Sequence, residues 1–196
     1  NENIYSLEGI EDFTSLREFD CAGNQLTSLD LSNNTSLSWL NCAGNQLTSL
    51  DLSNNTALTV LMCDLNQLTS LDLSNNTALT GLECYNNQLT SLDVSGCTAL
   101  SYLMCNDNQL TSLDLSSNIS LHTVRCFDNQ LLCLNIKNGN NQNIMPSSSG
   151  YSWDSSNNPN LYCIEVDDPN WATANWTNID NGVTFSTNCN YPAGCF

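Results

Sequence analysis

The chain has 196 residues, 40% of them hydrophobic, which is enough for one domain with a packed core. Only 12% are charged, and 20 acidic residues face 3 basic ones (Arg17, Arg125 and Lys137), for a net charge of −17. So acidic a surface repels phosphate backbones and anionic lipid, which argues against nucleic acid as a partner, and no run of about 18 apolar residues offers a membrane span. No signal peptide is visible, and the chain opens mid-pattern at Asn1, so it reads as a processed or trimmed fragment.

In chain order, residues 1–16 read as a degenerate capping coil formed by Ile4, Leu7, Ile10, Phe13 and Leu16. Residues 17–137 repeat one phrase, L-x-x-L-x-C-x-x-N-Q-L-T-S-L-D-L-S-N-N-T-A. It places Cys21, Cys42, Cys63, Cys84, Cys105 and Cys126 each 21 residues apart. A fixed period of this length is the mark of a solenoid, in which every repeat is one coil. Leu40, Leu61, Leu82 and Leu103 share one slot, with Phe19 and Val124 as variants. The L-x-C alternation predicts one short strand per coil, stacked into a parallel sheet at a spacing of about 4.8 Å. The L-T-S-L-D-L-S half alternates too, with Leu50 and Leu52 inward and Ser49, Asp51 and Ser53 outward. It predicts a second strand or strand-like arc; neither half is long enough for a helix.

The periodic cysteines fill slots that suit leucine, where a free thiol acts as a small apolar group. A linear stack does not converge tetrahedrally, so it is a poor metal site. Asn24, Asn45, Asn66, Asn87, Asn108 and Asn129 form a second file, whose amides are placed to bond backbone groups of their own and the neighbouring coil. Asn-Asn-Thr at Asn33, Asn54 and Asn75 matches a glycosylation pattern, as does Asn175-Trp176-Thr177, but repeated turn chemistry explains the Asn-Asn-Thr copies.

Residues 138–160, rich in Asn, Ser and Gly with Pro146 and Pro159, read as an irregular enlarged coil. Residues 161–196 read as a C-terminal cap: a strand over 161–166, then Trp171, Trp176 and Phe185 over the end of the core. Cys163 and Cys189 flank this segment and would close it as a disulfide staple, which points to an oxidising compartment. Five cysteines lie off the ladder, so at least one stays free or pairs between molecules. The partners of Cys97, Cys133 and Cys195 stay open.

These motifs resemble the leucine-rich repeat family, in its 21-residue bacterial class, over about residues 4–137. The end resembles a C-terminal segment found on such repeats in secreted Bacteroidetes proteins, through Asn158-Pro-Asn-Leu-Tyr-Cys-Ile-Glu-Val-Asp-Asp168, Asn175-Trp176, Ile179-Asp180, Val183, Phe185-Ser186 and Cys189. The resemblance implies a mainly β, right-handed leucine-rich repeat solenoid of about eight coils, with its parallel sheet on the concave face and a secreted or cell-surface location. The signal and sorting segments of such relatives are not part of this sequence.

The three x positions of x-L-x-C-x face out from the strand, on the face that is concave in such repeats, and they change from coil to coil. The opposite face repeats Thr-Ser-Leu-Asp with little change. Trp39, Val60, Tyr102 and Thr123 fall in one column; Asn41, Met62, Glu83, Met104 and Arg125 in the next; Tyr85 and Phe127 in the third, with Asp64 beside them. Exposed aromatic residues, Met and Arg are the types that concentrate at interface centres. The candidate ligand-binding residues are therefore Trp39, Asn41, Val60, Met62, Asp64, Glu83, Tyr85, Tyr102, Met104, Arg125 and Phe127.

The sequence thus predicts a non-catalytic, monomeric binding module for a protein or glycan ligand, without cofactor or metal. A spacer within a longer surface protein is the alternative. Threonine files such as Thr27, Thr48 and Thr69 raise ice binding, and the ladder Asp30, Asp51, Asp72, Asp93 and Asp114 raises calcium, although a flat column supplies few converging oxygens. No catalytic site is expected: His122 is the only histidine, in a slot filled elsewhere by Ser, Thr or Arg.

Overall fold

The computed structural model describes residues 3–145 and 153–196 and is a parallel-sheet solenoid of about eight coils. Residues 146–152, including Pro146 of the expected enlarged coil, lie outside the described residues.

The coils contribute strands of three residues, one from each early coil and a second where the other half-repeat also pairs. In chain order these are β1 (Glu18–Asp20), β2 (Trp39–Asn41), β3 (Val60–Met62), β4 (Gly81–Glu83), β5 (Tyr102–Met104), β6 (Ser112–Asp114), β7 (Thr123–Arg125), β8 (Cys133–Asn135), β9 (Cys163–Glu165) and β10 (Thr184–Ser186). Strands β1, β2, β3, β4, β5 and β7 form one parallel sheet in that order. Its register advances by one repeat per strand: Trp39 pairs with Val60, Val60 with Gly81, Gly81 with Tyr102 and Tyr102 with Thr123. Arg125 continues the ladder to Asp154. The second half-repeat forms hydrogen-bonded strands only from β6 onward, in a sheet ordered β10-β9-β8-β6. In earlier coils it is irregular but keeps the alternation, with Leu50 and Leu52 buried and Asp51 exposed.

The core is the leucine and cysteine stack. Leu40, Leu61, Leu82 and Leu103 are fully buried, as are Cys42, Cys63, Cys84, Cys105 and Cys126. Each such leucine contributes roughly 1.5–3 kcal/mol of burial. The asparagine file does what its position requires. The Asn45 amide nitrogen donates to the Cys21 and Cys42 carbonyls of two coils, while its oxygen accepts the Leu26 N–H. Asn66, Asn87, Asn108 and Asn129 repeat this, and Asn158 closes the series.

A second buried file occupies the opposite corner, at the second asparagine of each Asn-Asn-Thr. Asn55 donates to the Leu31 and Asn34 carbonyls of the coil before it, and Asn76 and Asn118 do likewise. Cys97 stands in this slot, and its thiol reaches the Asn76 carbonyl. That explains why Cys97 is off the main ladder yet buried and free.

The corner after each strand requires a left-handed residue. Gly23, Gly44, Leu65, Asn86, Asp107, Asp128 and Asn157 all have φ between 51° and 65° there. Glycine, asparagine and aspartate tolerate this region; leucine does not, and Leu65 is half exposed as well. Leu65→Asn should therefore raise stability by roughly 1 kcal/mol, read as a higher urea midpoint with unchanged slope.

Both ends are closed. Ile4, Leu7 and Leu16 pack against the core, while Phe13 and Tyr5 are exposed. At the C-terminus, Trp153 stacks on Trp176 at 4.2 Å, with Trp171 and Phe185 edge-on to it. A short helix, α1 (Pro169–Asn175), carries Trp171. Asp168 caps it by accepting from the Asn170 and Trp171 N–H groups. Two disulfides hold the cap: Cys163–Cys189, as the sequence predicts, and Cys133–Cys195.

Candidate ligand-binding face

The two sheets present different outer faces. The outer face of the β6–β10 sheet is covered. Its outward cysteines, Cys133 and Cys163, are tied to the tail residues Cys195 and Cys189, and Tyr191 lies over it with its hydroxyl on the Leu134 carbonyl and the Glu165 N–H. No such tail is tied over the face of the six-stranded sheet by a disulfide. The strand register aligns Trp39, Val60, Tyr102 and Thr123 in one column and Asn41, Met62, Glu83, Met104 and Arg125 in the next, while Asp64, Tyr85 and Phe127 follow just after their strands.

The side chains do not stand free, as their outward position alone suggests. Trp39, Val60, Met62, Glu83, Tyr85, Tyr102, Arg125 and Phe127 are half-buried against one another, and Met104 and Asp64 are buried at 8% and 4% exposure. The cause is the stacking distance. With strands about 5 Å apart, a large outward side chain lies against its neighbours up and down the column. Gly81 is the pivot. A Cβ placed on it would meet the Tyr102 ring at 2.2 Å, so the tyrosine lies across β4 only because that position has no side chain.

This packing gathers two carboxylates and two phenols. Burial raises the Asp64 carboxylate above its usual range, and the Tyr85 hydroxyl beside it offsets this in part. Glu83 is raised by burial first and then by the charge of Asp64, with the Tyr102 hydroxyl acting against both. The Tyr85 and Tyr102 phenols are pushed up to about 12, by burial first and next by Asp64 and Glu83 respectively. Arg125 lies over the Phe127 ring, 5.0 Å from its centroid, a cation–π contact.

Two clefts flank Met104. One, of about 490 Å³, is lined by Glu83, Ser101, Tyr102, Met104, His122, Thr123 and Met145. The other, of about 370 Å³, is lined by Glu83, Tyr85, Met104, Asn106 and Arg125. The structure thus brings Glu83, Tyr85, Tyr102, Met104 and Arg125 into one neighbourhood, with Phe127 on Arg125; Trp39, Asn41 and Val60 lie further along the sheet. Gly81, Ser101, His122 and Met145 were not among the candidates. The signal for Gly81 was its place in a column otherwise filled by Trp39, Val60 and Tyr102. His122 takes part in the cleft through its ring, which contacts the Ser101 hydroxyl at 3.3 Å.

The aspartate ladder has a local use. Each of Asp30, Asp51, Asp72, Asp93 and Asp114 accepts the backbone N–H two residues on, from Ser32 to Ser116. These bonds hold the Asp30, Asp51 and Asp72 carboxyls below their ordinary values. Among the described residues no three His, Cys, Asp or Glu side chains converge to hold a metal ion.

No family model and no curated protein matches the sequence. Solved structures do. The functional domain of InlJ from Listeria monocytogenes, which includes a cysteine ladder, is 32% identical with a TM-score of 0.66, over 90% of this chain and 40% of that one. A leucine-rich repeat protein of Leptospira interrogans is 19% identical with a TM-score of 0.64, over 90% of this chain and 50% of that one. The ectodomain of the plant receptor kinase GASSHO1/SCHENGEN3 from Arabidopsis thaliana, solved with CASPARIAN STRIP INTEGRITY FACTOR 2, is 22% identical with a TM-score of 0.67, over 89% of this chain and 22% of that one. The chain therefore spans half or less of the length of each of these. With the InlJ domain it shares a file of stacked cysteines, and with all three its coil: the chain is a leucine-rich repeat solenoid.

Proposed function

We propose that the chain is a non-catalytic binding module of a secreted or cell-surface bacterial protein, docking a segment of a protein ligand along the six-stranded sheet. One observation carries this reading: through the regular repeats the lining varies from coil to coil on the face that the C-terminal tail leaves open, while the Thr-Ser-Leu-Asp half changes little. A rigid, preformed face loses little conformational entropy on binding. Two disulfides and the likeness of the last coils to secreted Bacteroidetes proteins support an extracellular setting.

The test uses a ligand found by screening extracellular proteins against the purified domain. Trp39→Ala with Tyr102→Ala should weaken that ligand at least a hundredfold, since buried aromatic anchors are each worth about 2 kcal/mol or more. Asp72→Asn, on the opposite face, should leave it unchanged. Equal affinity of wild type and the double variant would refute the assignment of the face. Met104 is a poor choice for this test, because its burial makes truncation costly to the fold itself.

A further inference from the structure

The larger cleft has three apolar walls, Tyr102, Met104 and Met145, and one carboxylate, Glu83. Behind Glu83 lies the buried Asp64, the neighbour that charges against it. Burial is the largest influence on both carboxylates. The chain has only three basic residues, and the one on this face, Arg125, is engaged with Phe127 in the adjoining cleft. The pair is thus one half-buried and one buried carboxylate, at the end of a slot with an aromatic wall.

Resting on the reading of this face as a binding face, we propose that the cleft receives a lysine or arginine side chain of the bound protein, its alkyl stem against Tyr102, Met104 and Met145 and its charged head at Glu83. Long basic side chains match this lining, because they bury an apolar stem and keep a cationic tip. The tip also gains from an aromatic face beside it, as Arg125 does over Phe127 on the same sheet. Gly81 determines the specificity of the slot. By letting the Tyr102 ring lie across β4, it forms the wall that a larger residue would displace.

The groups facing Glu83 are Asp64, Tyr85 and Tyr102, with His122 across the cleft and Arg125 beyond Met104. An incoming cation favours the ionised carboxylate. Since burial holds Glu83 above the usual carboxylate range, binding weakens as pH falls through that raised range. Glu83→Gln should remove this pH dependence.

The chain has three methionines, two lining this cleft and Met62 outside it, so methyl NMR of ¹³C-methionine protein reads the site directly. The probes are Nα-acetyl-lysine amide and Nα-acetyl-arginine amide, with the uncharged Nα-acetyl-norleucine amide as control. The basic probes should shift Met104 and Met145 saturably at tens of millimolar and leave Met62 in place. Glu83→Gln should weaken them about tenfold or more, and Gly81→Val should do the same while the far-ultraviolet spectrum stays native. Equal shifts with the norleucine probe, unchanged binding by Glu83→Gln, or no shift at all would overturn the proposal. Loss of the protein ligand in Trp39→Ala with Tyr102→Ala, alongside such a failure, would leave the face standing and remove only this subsite.

Discussion

Replacing Asn66 by alanine is expected to cost about 3–5 kcal/mol. Asn66 makes four hydrogen bonds at a buried corner. Its oxygen accepts the Leu47 N–H, and its amide donates to the Cys42, Cys63 and Asp64 carbonyls. The carbonyls of Cys42 and Cys63 keep second donors in Asn45 and Asn87. The Leu47 N–H has no such reserve, and an orphaned buried donor alone costs about 1–3 kcal/mol. Asn66→Asp should be no milder at neutral pH. A carboxylate accepts from Leu47 but faces three carbonyl oxygens with nothing to donate. Urea unfolding followed by far-ultraviolet circular dichroism checks both. In a solenoid each coil touches only its neighbours, so the defect should also divide one transition into two, as the halves on either side of the corner uncouple. A single transition within about 1 kcal/mol of wild type would show that the corner amides are dispensable.

That prediction rests on a feature legible in the sequence, since a corner carbonyl in every coil needs a donor at the same slot and the slot repeats. The strand positions, the columns of outward residues and the Cys163–Cys189 pair were legible for the same reason: each is set by periodicity or by position along the chain. What escaped was set by neighbours across coils. The alternation places Tyr102 outward, but only the absence of a side chain 21 residues earlier, at Gly81, lets its ring lie flat. Exposure of the face was overestimated on the same account. The second asparagine file reads from the sequence only as turn chemistry, although Cys97 in its slot marks a buried position. Helix α1 had its signal in Asp168-Pro169, an N-cap followed by proline at the first helical position. The Cys133–Cys195 pair spans 62 residues and depends on the path of the tail back across β8, which no local pattern encodes.

Mild reduction should release the C-terminal cap while the repeats stay folded. The disulfides close loops of 26 and 62 residues, and by the chain-entropy estimate each restrains the unfolded chain by about 3–4.5 kcal/mol. The loops are nested, so the two contributions fall short of their sum. Cys163→Ala with Cys189→Ala should therefore lower the melting temperature by roughly 10 °C. The loss concentrates at one end: β10 is the edge of its sheet, and the tail holds it against β9 through Cys189. Freed of that tail, the edge strand and the Trp153–Trp176 stack open to solvent, so tryptophan fluorescence should shift red before the strand signal is lost. Thiol titration separates the two classes of cysteine. Seven are free and buried among the described residues, and burial raises Cys42, Cys63, Cys84 and Cys126 well above the usual thiol range. They should be inert to a thiol reagent in the folded protein, and only the four released from the disulfides should react after mild reduction. Early labelling of the ladder cysteines would mean that the coils open along with the cap. That outcome would also remove the basis for a rigid binding face, since the six-stranded sheet is built on those same coils.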